Sequence, residues 1–248
     1  MLERRRDSPD FGESFCIYQN PGAAAPGAEM EVILMFVANR MTKNPVTIAP
    51  DASLDDAFLA MKKGNFRRLP VVEDGKLVGF FSDKDLMRVA PSPATTLSRY
   101  EEKSLLDKLK VAEIMNKNVI SVQEDATIEE AALIMYDKKI GGLPVISEVG
   151  AVVGVITETD IFKTFVDVMA LSGGKTRLTV LVDNKVGVVN EISGIFAAEG
   201  LSIDSLVTCK QEDGSYEIVI RGIIPDVESI KKSIEEKGYK VIHSVKFE

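Results

Sequence analysis

The chain has 248 residues, 38 acidic against 30 basic for a formal charge of −8, with 45% hydrophobic and 27% charged residues. This is the profile of a folded protein of one or two compact units, and its acidic balance supplies no net positive field for nucleic-acid binding. Two cysteines (Cys16, Cys209) and a single histidine (His243) exclude a disulfide framework and argue against zinc chemistry or a Ser-His-Asp triad. The longest early apolar run, Val32 to Val37, suits neither a membrane span nor a signal peptide, so a cytoplasmic protein is expected.

Residues 1–34, with Arg4-Arg5-Arg6 and a Gly-Ala-Pro segment from Gly22, read as a flexible tail. An internal repeat follows. Met41, Asp51, Ala57, Met61 and Leu69-Pro70-Val71 recur 74 positions later as Met115, Asp125, Ala131, Met135 and Leu143-Pro144-Val145. After one inserted residue, Gly79, Ser82 and Asp85 recur as Gly154, Thr157 and Asp160.

Each repeat reads as β-α-β-β-α. Thr47 and Ile48, and then Val119 to Val122, form a short apolar strand. Ser53 and Thr127 are helix caps followed by acids, and the stripes Leu54, Ala57, Met61 and Ile128, Ala131, Met135 are buried faces. The first of these helices ends near Gly64-Asn65. Leu69 to Val72 and Leu77 to Phe81 form a hairpin about Glu73 to Lys76; Leu143 to Ile146 and Val152 to Ile156 repeat it. Units this small bury too little surface to stand alone, so the two are expected to pack as one module. The divisions are residues 35–90 and 111–170, joined by a surface linker at 91–110 containing Pro91, Pro93 and Thr95-Thr96.

After a second linker, 171–175, the pattern changes. Residues 176–248 read as strand Leu178–Asp183, turn Asn184–Gly187, helix Val188–Glu199 ended by Gly200, strand Ile203–Thr208, strand Tyr216–Arg221, helix Val227–Lys237 and strand Val241–Phe247. This is the β-α-β-β-α-β order of ferredoxin-like folds. The fold class is therefore mixed α/β, a tandem repeat module followed by a ferredoxin-like domain.

Several residues can carry a ligand. Ser82 and Thr157 each stand between a strand and a helix, where free N–H groups and the helix dipole favour phosphate. Asp85 and Asp160, three residues on, face the same side and can accept from ribose hydroxyls. The same spacing is also a capping box, in which cap and third residue satisfy one another. Arg67 and Arg68 precede the first Leu-Pro strand, where a planar guanidinium suits phosphate oxygens. The second repeat has Gly141-Gly142 there, just after Lys138 and Lys139, so the two clefts are expected to differ. His243 reads as an ordinary strand residue, Cys209 as a small apolar one near a strand end.

The strand, capped helix, Leu-Pro-Val strand and Gly-h-h-[Ser/Thr]-x-x-Asp element (h apolar), present twice and in order, resemble the CBS domain and its duplicated form, the Bateman module. The Asp183-Asn184-Lys185-Val186-Gly187 turn with the helix after it resembles the ACT domain, departing from it at Val186, where many ACT domains carry Pro. The order CBS, CBS, ACT resembles the acetoin-utilisation (AcuB) family.

The CBS resemblance implies that an adenine nucleotide or adenosyl ligand (AMP, ADP, ATP or S-adenosylmethionine) contacts Ser82, Asp85, Thr157 and Asp160 and lies against Thr47, Ile48, Ile120 and Ser121. Arg67 and Arg68 would meet its phosphates. The ACT resemblance implies an amino acid or small metabolite at Asn184, Lys185, Val186, Gly187 and Val188. Both modules imply a homodimer, and no catalytic constellation, catalytic cofactor or metal site is expected. The rival reading is a protein-interaction scaffold, or a regulatory subunit of a separate enzyme, whose Ser/Thr-x-x-Asp motifs only cap helices.

Overall fold

The helices of the repeats begin where hydroxyl caps precede acids. In the computed structural model, which describes residues 35–89, 106–171 and 173–247, Ser53 caps α2 (Leu54–Gly64) and Thr127 caps α5 (Ile128–Lys138). Both are reciprocal boxes: the Asp56 N–H donates to Ser53 Oγ at 3.1 Å and the Glu130 N–H to Thr127 Oγ1 at 3.2 Å, while each carboxylate accepts from its cap's N–H. Asn65 and Lys139 end these helices in the left-handed region, at φ 51° and 55°. The readings of the tail, of Cys16 and of Pro91, Pro93, Thr95 and Thr96 lie outside the described residues.

After each helix comes a hairpin. In the first, β2 (Arg68–Glu73) pairs with β3 (Lys76–Ser82) across Asp74 and Gly75, both at positive φ as a tight two-residue turn requires. In the second, β5 (Gly142–Ile146) pairs with β6 (Val152–Thr157), and its longer turn closes where the Ser147 N–H donates to the Ala151 carbonyl at 2.9 Å. The hairpins lead into α3 (Asp83–Val89) and α6 (Glu158–Val168). The stripe residues Leu54, Ala57, Met61, Ile128, Ala131 and Met135 are all buried.

Sequence periodicity did not reveal how the repeats are joined. Short helices open each one, α1 (Val37–Arg40) and α4 (Val111–Ile114), and each packs on the other repeat. Val37, fully buried, belongs to the core of Val122, Ile128, Leu143, Val145 and Ile156; Val111, equally buried, belongs to that of Leu54, Leu69, Val71 and Phe81. The exchange is hydrogen-bonded on both sides. The Val37 N–H donates to Ala126 O at 2.8 Å and the Ile128 N–H to Met35 O at 2.8 Å, while the Val111 N–H donates to Ala52 O at 2.9 Å. Beyond α1, β1 (Thr42–Lys43) pairs with β6, and Asn116 bridges Phe80 in the equivalent place. Met41 lies against Gly154 and Met115 against Gly79, at positions where a Cβ would collide with the thioether. Glycine at the start of each Gly-h-h-[Ser/Thr]-x-x-Asp element thus admits the other repeat's methionine.

The first-strand expectation is corrected. Thr47 is exposed and outside any strand, and Ile48 makes only an isolated parallel bridge to Val71, because Pro50 has no N–H with which to continue the ladder. Its counterpart β4 covers Val122–Gln123, so Ile120 and Ser121 precede the strand.

In the ferredoxin-like unit the sheet order is β10 (Lys240–Lys246), β7 (Thr176–Val182), β9 (Tyr216–Gly222), β8 (Ser205–Lys210). Helices α7 (Val188–Ala198) and α8 (Val227–Glu236) bury Ile192, Phe196, Ile230 and Ile234 against Leu178, Val180, Ile218 and Ile220. Cys209 is exposed on β8 rather than packed, since the register places it opposite Glu217 and off the core face. No described helix is long and apolar enough to cross a membrane.

Val37→Ala should cost about 2 kcal/mol in urea denaturation, from two lost methyl groups and the space left behind. Hydrogen exchange should place the loosened amides at Leu143, Val145 and Ile156 of the second repeat, not at Leu69 and Val71 of the first.

Candidate functional site

Where β3 meets α3, a cavity of about 450 Å³ opens between the repeats. The first repeat lines it with Arg68, Phe80, Ser82, Asp83, Lys84, Asp85 and Arg88; the second with Asn116, Val119, Ile120 and Lys139 to Gly142. Four of the residues singled out in the sequence thus share one hollow: Arg68, Ser82, Asp85 and Ile120. Four cationic side chains (Arg68, Lys84, Arg88, Lys139) face two carboxylates (Asp83, Asp85), so the hollow is locally positive in a chain of net charge −8.

At its edge the Ser82 N–H and Oγ–H both donate to Asp85 Oδ2, at 3.0 and 2.6 Å, while Asp85 Oδ1 accepts from Arg88 at 3.4 Å. Arg68 is half-buried. Burial lowers its guanidinium pKa, the neighbouring Arg67 adds to this, and the charges of Glu158 and Asp83 oppose it. Both acids sit at the first positions of the helices α6 and α3, so Arg68 lies between the corresponding elements of the two repeats. Gly141 and Gly142 make room for it. A Cβ at Gly141 would meet the Arg68 Nη2, and one at Gly142 would stand 3.0 Å from Arg68 Cδ and Nε.

The remaining candidates lie elsewhere. Arg67 is exposed and outside the cavity, since successive residues of an extended chain point to opposite sides. Thr47 and Ile48 do not line it, and Ser121 lines a separate hollow of about 330 Å³ with Lys76, Lys117 and Val149. Thr157 and Asp160 form their own closed box at 2.7 Å outside this cavity. Sequence reading missed Lys84, Arg88 and Asn116, and noted Lys139 without assigning it to this cleft. The first two share a helix with Asp85 and were legible from spacing; Asn116 enters only through the exchange of opening segments, and Lys139 only through the left-handed helix end.

In the ferredoxin-like unit, a hollow of about 250 Å³ is lined by Asn184, Lys185, Gly187 and Val188 together with Thr208, Tyr216 and Ile218. Gly187 adopts φ 93°, which favours glycine, and Val186 is 99% exposed and does not line the hollow. Beside it a second hollow of about 470 Å³ contains Lys185, Glu191, Lys237, Tyr239 and Lys240. There the Tyr239 hydroxyl donates to Glu191 Oε2 at 2.6 Å. This bond, with help from Lys185, holds the Glu191 carboxyl below its ordinary range, and Tyr239 is pushed up to about 12 by the same bond and by burial.

Two β-α-β-β-α repeats that exchange their opening segments around a shared cleft, with a ferredoxin-like domain after them, define the fold class. The CBS-domain family model matches residues 37–92 and 111–167, and the ACT-domain model residues 176–238. A CBS domain-containing protein of Dictyostelium discoideum is 32% identical over 136 residues, which are 54% of this chain and 94% of that one. The chain belongs to the CBS-domain family, as a CBS pair followed by an ACT domain.

Several other curated relatives, enzymes among them, are longer, and the chain spans between 25% and 48% of their length. Similar solved structures include a Vibrio cholerae chain assigned to acetoin utilization (AcuB), 31% identical with a TM-score of 0.46, covering 56% of this chain and 96% of that one. Another is the CBS domain pair of protein MJ0100 in complex with 5-methylthioadenosine and S-adenosyl-L-methionine, 29% identical with a TM-score of 0.44, covering 53% and 96%.

An alkaline titration followed by tyrosinate absorbance should show one of the five tyrosines ionising at about pH 12, and Glu191→Gln should return it towards 10. Because Tyr239 is raised and Glu191 lowered by this bond, its contribution to stability is complete between the ordinary carboxylate range and pH 10, is lost as pH rises through 12, and is lost again at acid pH as Glu191 takes up a proton.

Proposed function

We propose that the protein is a non-catalytic cytoplasmic regulator that binds an adenine nucleotide or adenosyl ligand in the cleft between its CBS repeats. One observation carries this reading: the 450 Å³ cavity joins Arg68, Ser82 and Asp85 of the first repeat to Ile120 and Lys139–Gly142 of the second. A molecule held there touches both repeats and stabilises one packing of them over others, which is the requirement for a ligand to shift a conformational equilibrium. The excess of cationic side chains favours a phosphate-bearing ligand such as AMP, ADP or ATP over S-adenosylmethionine in this cleft. The Thr157–Asp160 side offers no arginine at the equivalent position and suits a less charged ligand.

The hollow at Asn184, Lys185, Gly187 and Val188 supports an amino acid or small metabolite as a second effector at the ACT domain. A homodimer is supported by an exposed apolar stripe of Phe162, Phe165 and Val166 on α6 beside Leu133 and Tyr136 on α5. The AcuB-like order of domains agrees with a regulatory role without naming its pathway.

A second reading, a scaffold or a regulatory subunit of a separate enzyme, is favoured by the closed Ser82–Asp85 and Thr157–Asp160 boxes, which already satisfy one another without a ligand. Thermal melting with AMP, ADP, ATP and S-adenosylmethionine separates the two. A ligand at 100 times its Kd adds about 2.7 kcal/mol, or a rise of about 5–11 °C for a chain of this size. The rise should vanish in Arg68→Gln and Asp85→Ala and survive in Asp160→Ala. Flat melts with every ligand, together with a loss of only about 0.5–2 kcal/mol in each Asp variant, would leave the caps as caps.

A further inference from the structure

The ferredoxin-like sheet has a polar cluster on the face away from its helices. Leu178, Val180, Ile218 and Ile220 point towards α7 and α8, so the alternate residues Arg177, Thr179, Val219 and Arg221 point the other way. Arg177 stands directly opposite Arg221 across the β7–β9 pair, and His243 of β10 stands opposite Thr179. Arg221 is only 6% exposed and Thr179 2%, yet Arg221 Nε and Nη1 and Thr179 Oγ1 have no hydrogen-bond partner. The one contact in the cluster is between Arg177 Nη1 and His243 Nδ1, at 3.2 Å. A guanidinium can only donate, so the imidazole accepts there and carries its proton on Nε2.

Among the described residues, no carboxylate pairs with either arginine. Asp204, adjacent through the bond from its N–H to the Arg221 carbonyl, spends its carboxylate on Lys175 Nζ at 3.2 Å. Glu217, on the same face, is four residues along β9, about 13 Å away at strand spacing.

We propose that this face binds a small oxyanion, a phosphate or a carboxylate, gripped between the guanidinium groups of Arg221 and Arg177 with the Thr179 hydroxyl as a further donor. Arginine keeps its proton in proteins, so a buried guanidinium must be compensated by a partner rather than by neutralisation. Here the nearest charge is another cation: burial first, and Arg177 second, disfavour the charged form of Arg221. A single oxyanion answers both, because its oxygens accept from two planar forks at once. The half-buried Arg177 and the exposed His243 give it a way in from solvent. This site is separate from the nucleotide cleft and from the turn at Asn184 to Val188, and it uses none of their residues.

The chain's single histidine is a built-in reporter, since an anion that recruits Arg177 takes it from His243. The imidazole Hε1 resonance of the full chain would be followed at fixed pH 7.5 while sodium phosphate or sodium citrate is added, with sodium chloride at matched ionic strength as reference. The expected result is a saturable shift with phosphate, citrate or both, beyond that with chloride. It should weaken about tenfold or more in Arg221→Met and in Arg177→Gln and persist in Arg68→Gln. Saturation with one salt alone identifies phosphate or carboxylate as the ligand. In buffer free of either anion, Arg221→Met should melt no lower than the parent, because it removes an uncompensated buried charge. A shift no larger than with chloride, or one unchanged in both Arg221→Met and Arg177→Gln, overturns the proposal.

Discussion

The reciprocal exchange of opening segments is the constraint on which the CBS module rests. Neither repeat completes its own core: the core of the second takes in Val37 from the segment opening the first, and that of the first takes in Val111 from the segment opening the second. The backbone bonds that hold these segments, such as Val37 N–H to Ala126 O and Val111 N–H to Ala52 O, join one repeat to the other. Each repeat of about fifty residues lies in the size range where a lone core is marginal, and sharing one turn of helix each way adds apolar burial to both. The exchange also fixes the cleft. Asn116, placed by its bridge to Phe80, brings Val119 and Ile120 to the wall opposite Ser82.

Duplication repeats the same elements in each half, and a difference at two adjacent positions makes their surroundings unlike. Arg67-Arg68 in the first repeat corresponds to Gly141-Gly142 in the second. Side chains at 141 and 142 would compete with Arg68 for one volume, since a Cβ at either glycine would press on it. The glycines surrender that volume, and Arg68 enters it between Asp83 and Glu158. Charge therefore gathers at one cleft although the chain as a whole is acidic. A further tie, Arg40 to Asp167 at 2.7 Å, links α1 of the first repeat to α6 of the second.

Much of this was legible in the sequence. The caps at Ser53 and Thr127, the buried stripes, both hairpins and the β-α-β-β-α-β order follow from short-range chemistry: hydroxyl before acid, spacing of three and four, glycine at a turn. Four of the five residues read at the ACT turn share a hollow, because a strand, a tight turn and a helix are consecutive in the chain. What sequence could not show was long-range. Periodicity assigns Val37 and Val111 to apolar segments but not to the other repeat's core. Nor does adjacency tell which of Arg67 and Arg68 faces inward, because that depends on where β2 begins. The short Thr47-Ile48 strand failed for a local reason that was visible, the proline two residues on.

The closed capping box also assigns chemical roles within the cleft. The Ser82 hydroxyl has one proton, already donated to Asp85 Oδ2 at 2.6 Å, so it can accept from a ligand but not donate to one. Phosphate oxygens only accept, and would have to break that hydroxyl–carboxylate bond, at a cost of roughly 1.5–3 kcal/mol for a hydrogen bond to a charged group. A ribose, whose hydroxyls donate, meets no such penalty: Asp85 Oδ1, held only by a 3.4 Å contact to the largely exposed Arg88, is the acceptor left over. Under the nucleotide-sensor reading, the Ser82–Asp85 pair therefore belongs to the sugar. The phosphates belong to Arg68 and Lys139, one from each repeat, and the charged end of the ligand is then what ties the repeats together.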